Sequence, residues 1–229
     1  MAINPTPDEE RGRLSRDAVV DRALALADAR GLEALTIRGL AKELGVTPMA
    51  LYWHFRSKDE LLAGVAERLW GEMDDEVDEK AGWPSQLRGL LESLVRMLRA
   101  HPCASQLLVP SEKLHSEASL RVTETTLAVL DRAGFDAAHA SEVVRNGMWT
   151  GLILVMSEPS FAGFDPELSD AARAELQRRK LVELATLPRD RYPHVVDSAR
   201  DLTSSDVEFH YRFGIDLFIA GVQAMAPPG

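Results

Sequence analysis

Arg38, Lys42, Arg56 and Lys58 bring fixed positive charge, and Thr36, Thr47 and Tyr52 bring hydroxyl groups, into one short stretch of this chain, residues 36–58. Such groups are suited to holding phosphate oxygens: cations meet the charge, and neutral O–H donors fix the position of the backbone they touch. His54 adds a further donor beside Tyr52. Between the two hydroxyl sets lie Pro48, Met49 and Ala50. Their short, mostly apolar groups favour contact with a thymine methyl over paired hydrogen bonds to a base edge.

The elements that must position these residues are written in the same stretch. Ile37, Leu40, Ala41 and Leu44 recur at three- and four-residue spacing, which predicts a short helix with one apolar side. Thr36 is placed to cap its free amides, and Gly45 follows where a helix end often takes positive φ. A second helix is expected from Met49 to Phe55, entered through Thr47 as N-cap and Pro48 at the first helical position, with Leu51 and Phe55 pointing inward. Trp53 reads as core or backbone support. Ser57-Lys58-Asp59-Glu60 has the Ser-x-x-Glu form of a capping box and opens a further apolar helix through Leu61, Leu62, Val65 and Leu69. With residues 15–30 upstream, this makes a three-helix head whose second and third helices form a helix-turn-helix, an outline that points to the major groove of DNA.

Gly31, Thr36, Arg38, Leu40, Ala41, Leu44, Gly45, Val46, Leu51, Tyr52, His54, Phe55, Lys58 and Leu61 together resemble the N-terminal domain of TetR-family transcriptional regulators over residues 15–74. The Trp53-His54 pair is similar to the tetracycline-repressor branch. The resemblance implies an all-α protein with an arm (1–14), a DNA-binding domain (15–60) and a helical ligand-binding and dimerisation domain (61–226). It implies DNA contacts by Thr36, Arg38, Thr47, Pro48, Met49, Ala50, Tyr52, His54 and Lys58. Tyr52 and Lys58, with His54 as a further contact, meet phosphate. Arg38 reaches a guanine edge or the backbone, and residues 47–50 lie in the groove. Arg11 and Arg13 form either a minor-groove arm or a solvated tail.

Charge is divided between the two parts. Nine Lys/Arg against five Asp/Glu over residues 11–58 leave +4, so the remainder carries −14 of the net −10. A head that meets phosphate and a body that does not is the natural reading. No apolar run approaches the roughly 20 residues of a membrane span, and no secretory signal opens the chain. The single Cys103 forms no internal disulfide and reads as a packed thiol, so a reducing cytoplasm is expected.

Helical periodicity continues through residues 61–72, 85–99, 104–114, 116–133, 137–156, 169–187 and 204–225, with 159–165 and 188–201 the weakly structured connections. In 137–156 the side carrying Val143, Gly147, Gly151 and Leu154, and in 204–225 the stripe Phe209, Phe213, Leu217 and Gly221, are apolar enough to need cover on a second side. Either both helices lie inside one chain or they meet a second copy. The resemblance implies a homodimer through them. Two heads on a two-fold axis then grip half-sites about 34 Å apart.

The resemblance further implies an apolar effector cavity in the body, for which Trp70, Leu90, Leu94, Leu108, Arg145, Trp149 and Ile153 are the candidates, each also readable as a simple core residue. Tetracycline repressors hold a magnesium–drug chelate with a histidine in the segment that here reads Leu107-Leu108-Val109-Pro110-Ser111. Without that imidazole, magnesium-tetracycline binding is not carried over, and neither metal nor cofactor is implied. Catalysis finds no support: the chain lacks a phosphate-binding glycine loop, His-Glu-x-x-His, a cysteine pair and Gly-x-Ser-x-Gly. His101, before Pro102, reads as a helix-end residue. The expected function is a homodimeric repressor released from a palindromic operator by a small molecule. The alternative is a helical small-molecule-binding or protein-interaction module without sequence-specific DNA binding.

Overall fold

Side-chain hydroxyls open the first four α-helices, and glycines with positive φ close the first two. The computed structural model describes residues 15–108, 116–158, 169–204 and 206–228, and its regular structure is all helical. The arm with Arg11 and Arg13, residues 109–111 of the segment compared with the tetracycline repressors, and the 159–165 connection lie outside the described residues.

Helix α1 (Arg16–Arg30) is capped by Ser15, whose Oγ accepts from the Ala18 amide at 3.1 Å, and it stops at Gly31, where φ is 81°. Its Val19, Val20, Ala23, Leu24 and Ala27 are buried. A single 3-10 turn, Leu32–Ala34, leads to α2 (Ile37–Leu44), α3 (Pro48–Tyr52) and α4 (Lys58–Trp70). Then follow α5 (Trp83–Ala100), α6 (Ala104–Leu107), α7 (Glu117–Arg132), α8 (Ala137–Met156), α9 (Asp170–Ala185), α10 (Pro193–Asp197), α11 (Ala199–Leu202) and α12 (Val207–Ala224).

Three expectations need correction. The helix expected over 104–114 stops at Leu107 within the described residues. Residues 188–201, expected to be weakly structured, contain α10 and most of α11; Pro193 presets the first turn of α10, and helices this short carry too few residues for a periodic signal. The second helix of the helix-turn-helix, α3, ends at Tyr52 instead of Phe55, because the amides of both His54 and Phe55 turn back to the Leu51 carbonyl at 2.9 Å.

The chain divides into two compact units, residues 1–148 with 226–229, and residues 149–225. In the first, α4 packs against α1, α6 and α7, and α5 packs against α7. Glu67 of α4 accepts from the Ala118 amide with both oxygens, at 3.2 and 3.3 Å, and so satisfies an orphan donor at the start of α7. The acidic connection between α4 and α5 is fastened by two buried polar residues of α5. Gln86 Nε2 donates to the carbonyls of Asp78 and Ala81, and Ser93 Oγ accepts from the Asp74 amide at 2.8 Å. In the second unit α9 packs against α10 and α11. There α12 lies against the C-terminal half of α8 so closely that a Cβ built on Gly214 would fall 2.2 Å from Leu154 Cδ2. His210 Nε2 donates to the Leu154 carbonyl at 2.8 Å, satisfying an acceptor that the end of α8 leaves free.

Gly45, between α2 and α3, has φ 67° and ψ 28°, and a Cβ there would meet nothing within 4 Å. The cost of a side chain at this turn is therefore purely conformational. Gly45→Ala should destabilise the protein by about 1 kcal/mol, and Gly45→Asn by less, as read from the midpoints of chemical denaturation.

Candidate nucleic-acid interface

The head presents α3 by burying everything else around it. Leu35, Leu40, Ala41, Leu51, Phe55, Leu61 and Val65 are each at most 1% exposed, so the inward side of α3 consists of Leu51 and, after the turn, Phe55. Phe55 packs within reach of Gly64, where an added Cβ would sit 3.3 Å from its ring and 3.1 Å from Val20 Cγ2. The Arg16 guanidinium lies 4.6 Å from the centre of the Phe55 ring. This core holds α3 at a fixed attitude to α1 and α4.

What remains of α3 faces out. Met49 is 68% exposed and Tyr52 48%, with Thr47 and Pro48 exposed and Ala50 half-buried. Thr47 caps the helix, its Oγ1 accepting from the Ala50 amide at 3.3 Å. Thr36 caps α2 in the same way, accepting from the Gly39 amide at 3.0 Å, with Arg38 exposed two residues on. His54 is half-buried. Lys58 is half-buried too, and its Nζ donates to the Leu32 carbonyl at 3.2 Å, which fixes the ammonium at the mouth of α4 with donors to spare. Ser57 Oγ accepts from the Glu60 amide at 3.1 Å, as a capping box requires. The return bond differs: the Glu60 carboxylate accepts from the Arg56 amide at 2.7 Å, one residue further back than the expected pairing.

Trp53 was expected to support the core and does the opposite. It is 85% exposed at the C-terminal end of α3, because the turn after Tyr52 gives the inward place to Phe55. It thereby joins Met49 and Tyr52 as a large exposed side chain on this surface.

The head's positive charge is partly internal. Glu43 of α2 takes a hydrogen bond from Arg22 at 2.7 Å and pairs with Arg30 at 3.3 Å, both from α1; the Arg22 bond and the charge of Arg30 hold its carboxyl below the ordinary range. Arg38, Lys42 and Arg56 have no ion-pair partner among the described residues. Where α1 meets the end of α4, Arg68 bonds Asp21 at 2.9 Å and Glu72 at 3.3 Å.

Of the residues considered for an effector cavity, Leu90 and Leu94 of α5 and Leu108 beyond α6 are buried, and Trp70 at the end of α4 is half-buried. Arg145 is exposed and bonded to Glu142, Trp149 is 38% exposed and Ile153 60%. These three recur every four residues on the outer side of α8, which Met156 continues. On the inner side of α8, Val143, Gly151 and Leu154 are buried within the chain and Gly147 is half-buried. On α12 the stripe of Phe209, Phe213 and Leu217 is more than half exposed, while Tyr211, Ile215, Ile219 and Val222 are buried. A separate cleft of about 560 Å³ between α1 and α4 is lined largely by charged groups, among them Arg16, Asp17, Asp21, Glu67 and Arg68. Among the described residues no helix is long and apolar enough to cross a membrane, and no three His, Cys, Asp or Glu are grouped to hold a metal.

Comparison with known proteins agrees with this geometry. Residues 19–65 match the model for bacterial regulatory proteins of the tetR family, and residues 77–226 match the tetracyclin repressor-like C-terminal domain. The class D tetracycline repressor protein of Escherichia coli is 31% identical over 74% of this chain and 79% of its own length. The HTH-type transcriptional repressor DrrR1 of Streptomyces coeruleorubidus is 26% identical over 93% of this chain and 78% of its own. The Streptomyces coelicolor TetR family protein ActR, solved in complex with actinorhodin, superposes with a TM-score of 0.81 at 26% identity, covering 94% of this chain and 98% of that one. An exposed, capped α3 on a buried three-helix core, followed by a helical body that matches over residues 77–226, makes this chain a member of the TetR family of ligand-responsive, DNA-binding transcriptional regulators.

Proposed function

We propose that the protein is a cytoplasmic homodimeric repressor that occupies a palindromic operator and leaves it when a small organic molecule binds the body. The observation that carries this reading is the exposure of Met49 and Tyr52 on a helix whose other side is fully buried through Leu51. Residues 15–60 act as the reader and 61–226 as the sensor and dimer-forming part. Tyr52, His54 and Lys58 hold phosphate, Thr47, Pro48, Met49 and Ala50 enter the major groove, and Thr36 with Arg38 approach from the start of α2. Trp53 belongs with this set by its exposure.

The exposed stripes of α8 and α12 support a dimer formed through these two helices, since apolar side chains left open along both need a second surface. Arg145, Trp149 and Ile153 fit that open face better than a cavity wall. Trp70, Leu90, Leu94 and Leu108 remain the lining proposed for the effector, in keeping with the apolar character of such sites. The ActR complex with actinorhodin supports an organic effector. Its binding opposes operator binding through a coupling free energy.

Footprinting across the gene's own upstream region, with and without a library of small molecules, tests the whole reading. A protected palindrome that is lost with one compound is the expected result; uniform cleavage along the region at saturating protein overturns it. On the footprinted duplex, Tyr52→Phe and Lys58→Ala should each weaken binding to every sequence by about 1 kcal/mol. Met49 and Arg38 variants should instead alter preference at one base position by about 1–3 kcal/mol. Anisotropy titrations on the natural duplex and on single-base variants of it distinguish the two patterns.

A further inference from the structure

Helix α1, the end of α4 and the corner between α5 and α6 meet at a single imidazole. His101, the C-cap of α5, has Nδ1 2.7 Å from Asp28 Oδ2 of α1 and Nε2 2.7 Å from Glu72 Oε2 just beyond α4. His101 and Asp28 are half-buried, and Glu72 sits nearer the surface. The other Asp28 oxygen accepts from the Cys103 amide at 3.2 Å, so this carboxylate also orients the entry to α6. Glu72 is shared with Arg68, and Arg68 with Asp21, which returns the network to α1. Nothing in DNA reading or effector binding uses this arrangement.

A carboxylate oxygen only accepts, so both contacts are hydrogen bonds only when both ring nitrogens carry hydrogen, which is the imidazolium form. A neutral ring has one N–H. Its other nitrogen then sets a lone pair against a carboxylate at the same short distance, and the attraction between opposite charges is lost as well. We propose that His101 is a proton-operated clasp between the head and its support: protonated, it ties α1 to the α4 end and the α5–α6 corner, and on losing its proton it releases one tie and lets α1 move.

The sign follows from the surroundings. Burial disfavours the imidazolium, but the hydrogen bonds to Asp28 and Glu72 and their charge outweigh it, so the group titrates above the ordinary 6.5. The stabilisation is complete below pH 6.5 and is lost as pH rises through the raised value. The consequence for transcription rests on the operator reading above: a head free to move must be ordered again on the duplex, so affinity falls in the alkaline range.

The test follows the clasp itself in the full-length protein. Imidazole NMR gives the His101 titration, and amide hydrogen exchange of residues 16–30, corrected for intrinsic chemistry, is measured over the same pH range. Exchange in α1 should accelerate by about fivefold to tenfold as His101 deprotonates, the scale of one lost hydrogen bond. His101→Gln, with one amide donor and no charge, should show the faster exchange at every pH. Asp28→Asn and Glu72→Gln each remove one carboxylate, keep the shape, and should move the His101 midpoint down together with the exchange transition. Exchange in α1 that stays level while His101 titrates, or that is the same in His101→Gln as in the wild type at pH 6, overturns the proposal. A protein that held no duplex would overturn the operator reading and leave these measurements unaffected.

Discussion

Phe55→Ala should lower the stability of the head by about 3–5 kcal/mol and abolish duplex binding. The ring is fully buried, it fills the space that Gly64 and Val20 leave open, and the Arg16 guanidinium rests on its face. Truncation removes the transfer energy of the ring, leaves a cavity in a close-packed core, and takes away the cation–π contact. Because Phe55 also fixes how the chain leaves α3, Tyr52 and Trp53 lose their attitude with it. Thermal unfolding and anisotropy on the footprinted duplex measure the two effects. Trp53→Ala is the matched comparison: at 85% exposure its effect on stability should stay within about 0.5 kcal/mol while duplex binding weakens. Equal loss of stability in the two variants would contradict the packing described for the head.

Leu217→Asp should convert the protein to monomers and reduce operator affinity by more than about 100-fold. In a single chain Leu217 is 65% exposed and Phe213 56%, so a carboxylate there costs the monomer little. In the proposed dimer the two-fold axis buries the new charge twice. An uncompensated buried charge costs about 3 kcal/mol or more, and that energy corresponds to over 100-fold in binding. Sedimentation should show the mass falling from twice 25.3 kDa to 25.3 kDa. Leu202→Asp, at a residue 58% exposed on α11, should remain dimeric. A Leu217→Asp protein that sediments as a dimer would remove α12 from the interface.

The parts of this molecule that can be read from its sequence are those fixed by local chemistry. Thr36, Thr47 and Ser57 announce helix starts because each cap is a bond to an amide three residues on, and Gly45 announces a stop because of its own φ. The span of α8 was legible for a related reason: its periodicity runs over 20 residues. Periodicity gives a face but not what covers it: the side of α8 with Val143 and Leu154 is buried within the chain, and the sequence alone left that open. Trp53 misled because hydrophobicity predicts burial only on average; the bend after Tyr52 decides the matter, and a single residue's type does not encode that bend. His101 was legible only as a helix end. Its two carboxylates come from positions 73 and 29 residues away, and bonds at that separation leave no local pattern. The short helices α10 and α11 escaped notice because one turn carries no period.

The pairing of head arginines with Glu43 has a bearing on how this regulator searches a chromosome. Arg22 and Arg30 are committed inside the head, and Arg16 shares Glu60 at 3.8 Å, so among the described head residues only Arg38, Lys42, Arg56 and Lys58 remain to displace condensed cations from a duplex. The four described cations of each of two such heads would release about eight counterions, for a contribution of about −7 to the slope of log affinity on log ionic strength. Non-specific adhesion to the sugar–phosphate chain is correspondingly modest. Discrimination between the operator and the bulk of the genome would then fall to the side chains proposed to enter the groove from α3, and a crowded ionic environment would disturb it less than it would a reader whose arginines were all unattached.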